Sequence, residues 1–153
     1  MDKSHIKIVT ENRKARHNFH IMDEFEAGMV LAGTEVKSLR NGRAHLKDAY
    51  GRFKGDELYI HQMHISPYPF AHNDNHEPLR PRKLLLNRSE LKRLYGKVRE
   101  KGFSLVPLRV YFKGGRAKVV IALAKGKRLY DKRQAIKARE NKRELDRVKR
   151  LRR

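Results

Sequence analysis

Apolar residues alternate with polar ones through most of the chain, in short runs broken by glycine and charged turns. That is the pattern of half-buried strands. Ile6–Val9 and Phe19–Ile21 read as short strands, with Asn12–Arg16 as a helical turn between them, and Glu24–Leu31 reads as a longer strand. Leu46–Phe53 and Leu58–Ile65 flank Lys54-Gly55-Asp56-Glu57, while Phe103–Phe112 and Ala117–Ala124 flank Lys113-Gly114-Gly115-Arg116. Gly-Asp and Gly-Gly are hairpin turns, because glycine reaches positive φ without a steric cost. In the last strand Val119, Ile121 and Leu123 take one face, and Lys118, Val120 and Ala122 take the other. Pro107 has no N–H to give a ladder, so it marks an edge or a bulge.

The period changes to that of a helix after Leu86. Asn87-Arg88-Ser89-Glu90 is a capping box with Asn87 as N-cap, and Leu86 and Leu91 sit at staple positions. Leu91, Leu94 and Val98 then line one face, with Arg88, Lys92 and Arg99 off it, and Gly102 ends the helix. A shorter helix is predicted over Glu35–Asn41. Ser66–Arg82, 17 residues with four prolines, is longer than most internal loops and so reads as either functional or disordered. It carries two aromatics and two histidines beside Arg80, Arg82 and Lys83. Short hairpin-linked strands with one clear helix predict a mainly β fold with flanking helices, an OB-fold-like small antiparallel β-barrel.

Charge changes the picture more than composition does. Lys and Arg number 38 against 17 Asp and Glu, a net +21 in 153 residues, and Cys and Trp are absent. Zero Cys excludes a disulfide scaffold, a zinc ribbon, a thiol nucleophile and a CxxC redox site. The longest apolar runs, such as Val119–Ala124, are too short for a bilayer, and the first residues lack a signal peptide's apolar stretch. The chain therefore reads as soluble and cytoplasmic. So large a surplus of one sign asks for an anionic partner, with nucleic acid ahead of a membrane surface.

That surplus is uneven. Residues 126–153 hold 13 basic and 4 acidic groups, a net +9, against +12 for the other 125. We read 1–125 as the RNA-binding body and 126–153 as a basic tail, helix-competent but disordered until bound. Leu145, Val148 and Leu151 form too thin a stripe, with no Trp or Phe, for a membrane helix.

Catalytic constellations are weak by comparison. His61 and His64 fall in one predicted strand on opposite faces, and His72 and His76 lack a Cys or carboxylate partner to complete a metal site. Asp23, Glu24 and Glu26 form the sharpest acidic cluster, which a metal-dependent nuclease would use, but no nucleophile motif or phosphate loop accompanies them. We expect no enzyme activity, metal or cofactor. For RNA the useful pieces are Tyr130, a ring set among cations, and His17 and Phe19 just after Arg13-Lys14-Ala15-Arg16.

Five ordered strings, NRKARH (Asn12–His17), FEAG (Phe25–Gly28), GTEVKSLRNGRA (Gly33–Ala44), RPRKLLLN (Arg80–Asn87) and AKGKRLYDKR (Ala124–Arg133), resemble the bacterial SsrA-binding, or tmRNA-binding, protein family. The resemblance spans about Ile6 to Arg139. It implies an OB-fold barrel with a basic tail and a role in trans-translation, the rescue of ribosomes stalled on messages without a stop codon. The partners implied are the tRNA-like domain of tmRNA, the 30S and 70S ribosome with its 16S rRNA, and EF-Tu·GTP through alanyl-tmRNA, with the protein acting as a monomer and not as an enzyme. It carries tmRNA binding onto Glu26, Leu85, Asn87 and Lys118, and ribosome contact onto His17, Gly126, Lys127, Arg128, Tyr130, Asp131, Lys132 and Arg133. The tail would enter the empty mRNA channel as a helix.

The residues themselves support part of this. Lys118 alternates away from Val119, so it can meet phosphate from an outer face. Asn87 can cap a helix and still offer an amide to RNA. Leu85 reads by default as barrel core, and Glu26 is odd unless it accepts bonds from bases, ribose or a neighbouring cation. The alternative reading is a generic single-strand binder or ribosome-associated OB-fold module.

Overall fold

In a computed structural model that describes residues 5–71, 73–100, 102–127 and 129–151, the alternating runs pair as follows. The chain order is β1 (Ile6–Glu11), α1 (Ala15–Asn18), β2 (Phe19–Met29), α2 (Gly33–Arg40), β3 (Ala44–His45), β4 (Tyr50–Lys54) and β5 (Glu57–His61). Then come β6 (His64–Ile65), β7 (Arg82–Leu85), α3 (Arg88–Val98), β8 (Phe103–Lys113), β9 (Arg116–Gly126) and α4 (Leu129–Leu151). The main sheet runs β1-β8-β4-β5-β7-β2-β9, and β9 pairs back with β8, so six antiparallel strands close a barrel that β1 extends. β3 and β6 form a separate two-stranded ribbon.

Bulges explain why two long strands look interrupted in sequence. β2 slips register between Ile21 and Asp23, which reverses its alternation: Phe19 and Ile21 face a small outer cluster, whereas Phe25 and Ala27 enter the barrel. Hence the two predicted strands Phe19–Ile21 and Glu24–Leu31 are one. β8 does the same between Pro107 and Arg109, as Pro107 foretold, so that Leu105 and Val110 both point inward. The barrel core is filled by Leu58, Ile60, Leu84, Val110, Val119 and Ile121 and is closed by Leu94 of α3. Ala15 of α1 packs on the outer cluster with Val106, Val120 and Ala122.

Other boundaries move for local reasons. β4 begins at Tyr50 rather than Leu46, because Leu46–Ala49 is a turn closed by the Ala49 N–H on the Leu46 carbonyl (3.0 Å), with Asp48 at φ 61°. Gln62, also at φ 61°, splits the predicted strand Leu58–Ile65 into β5 and β6. In the tail, read from sequence as helix-competent, Leu129–Leu151 is a single 23-residue helix. A stretch without Gly or Pro has the local propensity for an uninterrupted helix of that length. Leu145, Val148 and Leu151 stay exposed along it.

One close approach is tested simply. A Cβ on Gly51 would lie 2.9 Å from the Leu105 Cβ, which the paired β4 and β8 backbones hold in place. Gly51→Ala is expected to cost about 1–3 kcal/mol by overpacking, read from urea unfolding, with the midpoint moved and the m-value kept.

Candidate nucleic-acid interface

Pairing across β7, β2, β9, β8 and β1 sets Leu85, Gly28, Lys118, Tyr111 and Ile8 in one row on the outer surface. Glycine at the second position keeps that row low. A Cβ there would sit 3.5 Å from the Leu85 Cβ and 3.8 Å from the Lys118 ammonium, so an apolar side chain and a cation meet over bare backbone. Leu85 is 52% exposed. Its default reading as barrel core is therefore corrected: Leu84 takes the inward position of β7, and Leu85 alternates out. Lys118 makes no ion pair among the described residues, which leaves its charge for a phosphate.

Glu26 lies two residues back along β2 on the same face. It accepts a hydrogen bond from the Tyr111 hydroxyl and one from the Lys113 ammonium (3.4 Å). The Tyr111 bond holds its carboxyl below the usual range, burial opposes, and Lys113 and Lys118 reinforce. Burial, and then the bond to Glu26, pushes Tyr111 up to about 12. Glu26 thus stays a carboxylate, with both of these donors on its Oε2.

Asn87 is exposed at the start of α3, where Glu90 accepts its backbone N–H at 3.2 Å and its own carbonyl takes the Leu91 N–H at 3.0 Å. Beside it a groove of about 810 Å³ opens between α3 and the β4–β5 turn. Leu85, Leu86 and Leu91 floor it, Arg88 and Lys92 rim it, and Tyr95 stands at its side. Arg99 lies 5.4 Å from the Tyr95 ring and Phe53 meets that ring edge-on at 5.3 Å, so the aromatic is braced though exposed.

The second group of site residues gathers at the opposite end of β2 and β9. From Lys118 to Lys125 is seven residues of β9, roughly 23 Å at about 3.3 Å per residue. Here Gly126 pairs with Phe19, and the Lys127 N–H bonds the Asn18 carbonyl at 2.9 Å. His17, on α1, receives the Arg139 guanidinium on Nδ1 at 3.4 Å, which joins the tail helix to the body. Arg133 is exposed on α4. Arg128 and the side chains of Tyr130, Asp131 and Lys132 lie outside the described residues, as does His72.

The acidic cluster dissolves into separate pairs. Asp23 meets Arg93 at 2.8 Å, Glu24 meets Arg16 at 2.9 Å, and Glu26 holds Tyr111 and Lys113. These carboxylates are spent on neighbouring donors rather than gathered at one point. Nor do His61 and His64 share a strand: His61 stacks on Tyr50 at 5.3 Å and His64 on His45 at 4.7 Å. Among the described residues no three His, Asp or Glu side chains are grouped to hold a metal ion.

A five-strand surface row of this kind, with a second basic end joined to a charged helix, invites comparison with known proteins. Residues 9–151 match the family model described as SmpB protein. The chain belongs to the SmpB family. The SsrA-binding protein of Moorella thermoacetica is 60% identical over 148 residues, covering 96% of each chain, and that of Desulforudis audaxviator is 60% identical over 144 residues, covering 94% of each. A solved structure described as "tmRNA-SmpB: a journey to the center of the bacterial ribosome" aligns with a TM-score of 0.67 at 48% identity, over 82% of this chain and 92% of that one.

For this SmpB family member, sequence reasoning missed Lys113 and Tyr95 as members of the surface, and Tyr111 as the buried ring (4% exposed) that holds Glu26 from beneath the row. Their sequence signal is faint. Tyr111 belongs to an apolar run, and only the bulge at Pro107–Arg109 turns it outward onto the row. Tyr95 sits at a helix position that reads as solvent-facing.

Proposed function

We propose that the chain binds the tRNA-like domain of tmRNA through the row of Leu85, Gly28 and Lys118 with Glu26 and Asn87, and carries it to the vacant A site of stalled ribosomes for trans-translation. Membership of the SmpB family and the SsrA-binding relatives support the partner. The observation that carries the site is the exposed Leu85 packed over Gly28 against an unpaired Lys118. An unstacked base would lie on the leucine, its phosphate would meet the ammonium, and the Glu26 carboxylate would accept from an exocyclic amine or a ribose hydroxyl. The second end, His17, Gly126 and Lys127 with Arg128, Tyr130, Asp131, Lys132 and Arg133, would face decoding-centre 16S rRNA, and the tail helix would lie in the empty mRNA channel. In this reading residues 1–125 bind tmRNA and 126–153 serve the ribosome. EF-Tu·GTP joins through alanyl-tmRNA, and the protein acts as a cytoplasmic monomer with no chemistry of its own. No helix among the described residues is long and apolar enough to cross a membrane.

The test is competition at physiological salt, with labelled tRNA-like domain as ligand and elongator tRNA or single-stranded RNA as competitors. Strong preference for the tRNA-like domain, weakened about ten-fold by Lys118→Ala or Asn87→Ala, supports the site; a lost charge-assisted hydrogen bond is worth roughly that much. With about five phosphate contacts the log–log salt slope should be near −4. Equal competition by all three RNAs would favour the generic binder, and a flat salt dependence would reject the electrostatic account.

A further inference from the structure

The long segment between β6 and β7 is built, and it is built around one outward ring. Asn75 closes its tip, accepting the Tyr68 N–H at 2.9 Å and donating to the carbonyls of Tyr68 (2.9 Å) and Ala71 (3.1 Å). His76 pins the far side: its Nε2 donates to the Ile65 carbonyl at 2.8 Å, and its Nδ1 accepts the Thr34 hydroxyl at 2.9 Å. Arg82 reaches back to the Pro78 and Glu77 carbonyls at 3.1 and 3.4 Å. Pro67 and Pro69 fix φ on either side of Tyr68. A loop so tied has little conformational entropy left to lose on binding.

Its tip carries Phe70, which is 76% exposed. Phe19, Phe25, Phe53, Phe103 and Phe112, the other five phenylalanines, are all in or against a core cluster. The Phe70 ring meets Tyr68 edge-on at 5.5 Å, and the Lys37 ammonium lies 5.5 Å from the Tyr68 ring centre. Lys37 is followed one turn later on α2 by Arg40, and then by Arg43, whose carbonyl takes the Ser66 N–H at 3.0 Å. Two rings at the end of a basic stripe, held by rigid backbone, have the parts of a stacking platform: π-faces for a base and cations for its phosphates.

We propose that Tyr68 and Phe70 stack an unpaired nucleotide of the RNA partner, with Lys37 holding its phosphate. This rests on the reading that the chain binds structured RNA. The nucleotide belongs either to the tRNA-like domain or to ribosomal RNA, and the experiment separates the two.

The chain has no Trp, so Phe70→Trp places a single reporter on an exposed site without touching the core. The full-length variant is titrated with a transcript of the tRNA-like domain and, separately, with 30S subunits. Quenching of the indole emission by the transcript assigns the base to tmRNA, and quenching by 30S alone assigns it to rRNA. In the matching arm Phe70→Ser should weaken binding about five-fold or more, and Lys37→Ala should weaken it less while flattening the salt dependence. A blue shift without quenching on 30S, absent with protein-free 16S rRNA, would place the ring in a protein pocket and overturn the proposal. An indole signal that stays silent, with Phe70→Ser affinity unchanged while the chain still binds RNA, would overturn it and leave the function standing. Failure of the unsubstituted chain to bind either ligand would overturn both.

Discussion

Arg82→Met is expected to lower the stability of the folded chain by about 3–5 kcal/mol, since breaking a buried ion pair strands its partner charge. For a chain of this size that is a fall in Tm of roughly 10 °C, readable by calorimetry or circular dichroism. Arg82 is fully buried, and its guanidinium bonds the Glu35 carboxylate, the Met63 carbonyl and the Pro78 carbonyl. Glu35 is equally buried and also takes Arg80 and the Ala32 N–H (2.8 Å). One arginine therefore ties α2, β7 and the long loop together. Burial pushes the Glu35 carboxyl up, but the Ala32 N–H and the two arginines outweigh it and hold it below its ordinary value of 4.5. The sign follows from that depression: Glu35 contributes stability above 4.5, and the contribution is lost as pH falls through the lower folded value. The gap between wild type and Arg82→Met should thus be widest near neutrality and narrow on acidification. Glu35→Leu combined with Arg82→Met should lose less than the two single changes summed, because neither charge is then left alone. A single change costing under about 1 kcal/mol would mean that the network carries little of the fold.

That network also marks the limit of what the sequence tells directly. Strands with two-residue turns, such as the pair around Gly55-Asp56, are legible because turn chemistry and alternation are local. The helix after Asn87 is legible for the same reason: Glu90, Leu91, Leu94 and Val98 each do what their spacing predicts. Arg82 and Glu35 are not legible, since 47 residues separate them and each alone reads as a surface charge. β7 is hidden likewise, its inward positions being Arg82 and Leu84 rather than two apolar residues. Of the residues proposed to face RNA, Lys118 follows from alternation, whereas Leu85 and Glu26 rest on the family resemblance. Their chemistry emerges only when the register brings Gly28, Lys118 and Tyr111 beside them. The tail's helical character is legible from local propensity, because no Gly or Pro interrupts Leu129–Leu151, and α4 spans that whole stretch.

Ending the chain after Lys127 should leave affinity for the tRNA-like domain within about three-fold of wild type, as screening at physiological salt cuts off charges beyond about 8 Å. The same truncation should abolish tagging of nascent chains on stalled ribosomes in a reconstituted translation assay. The expectation follows from the two ends of β9. Lys118 and its neighbours lie at one end, while α4 leaves from the other and touches the body through Arg139 and His17. Keeping Gly126 and Lys127 preserves the pairing with Phe19 and the bond to Asn18, so the barrel end remains closed. A finer variant separates the helix from its charge. Leu145, Val148 and Leu151 recur every third residue and are exposed, so Val148→Gln removes apolar contact without changing the net charge or opening a core. If that stripe seats the helix against a wall of the mRNA channel, the variant should bind tmRNA normally and tag poorly, with binding of tmRNA-loaded protein to stalled ribosomes reduced about ten-fold or more, the worth of one buried apolar side chain. A ten-fold loss of tmRNA affinity on truncation would instead put the tail inside the tmRNA interface, and the division of labour between the two ends of the barrel would fall with it.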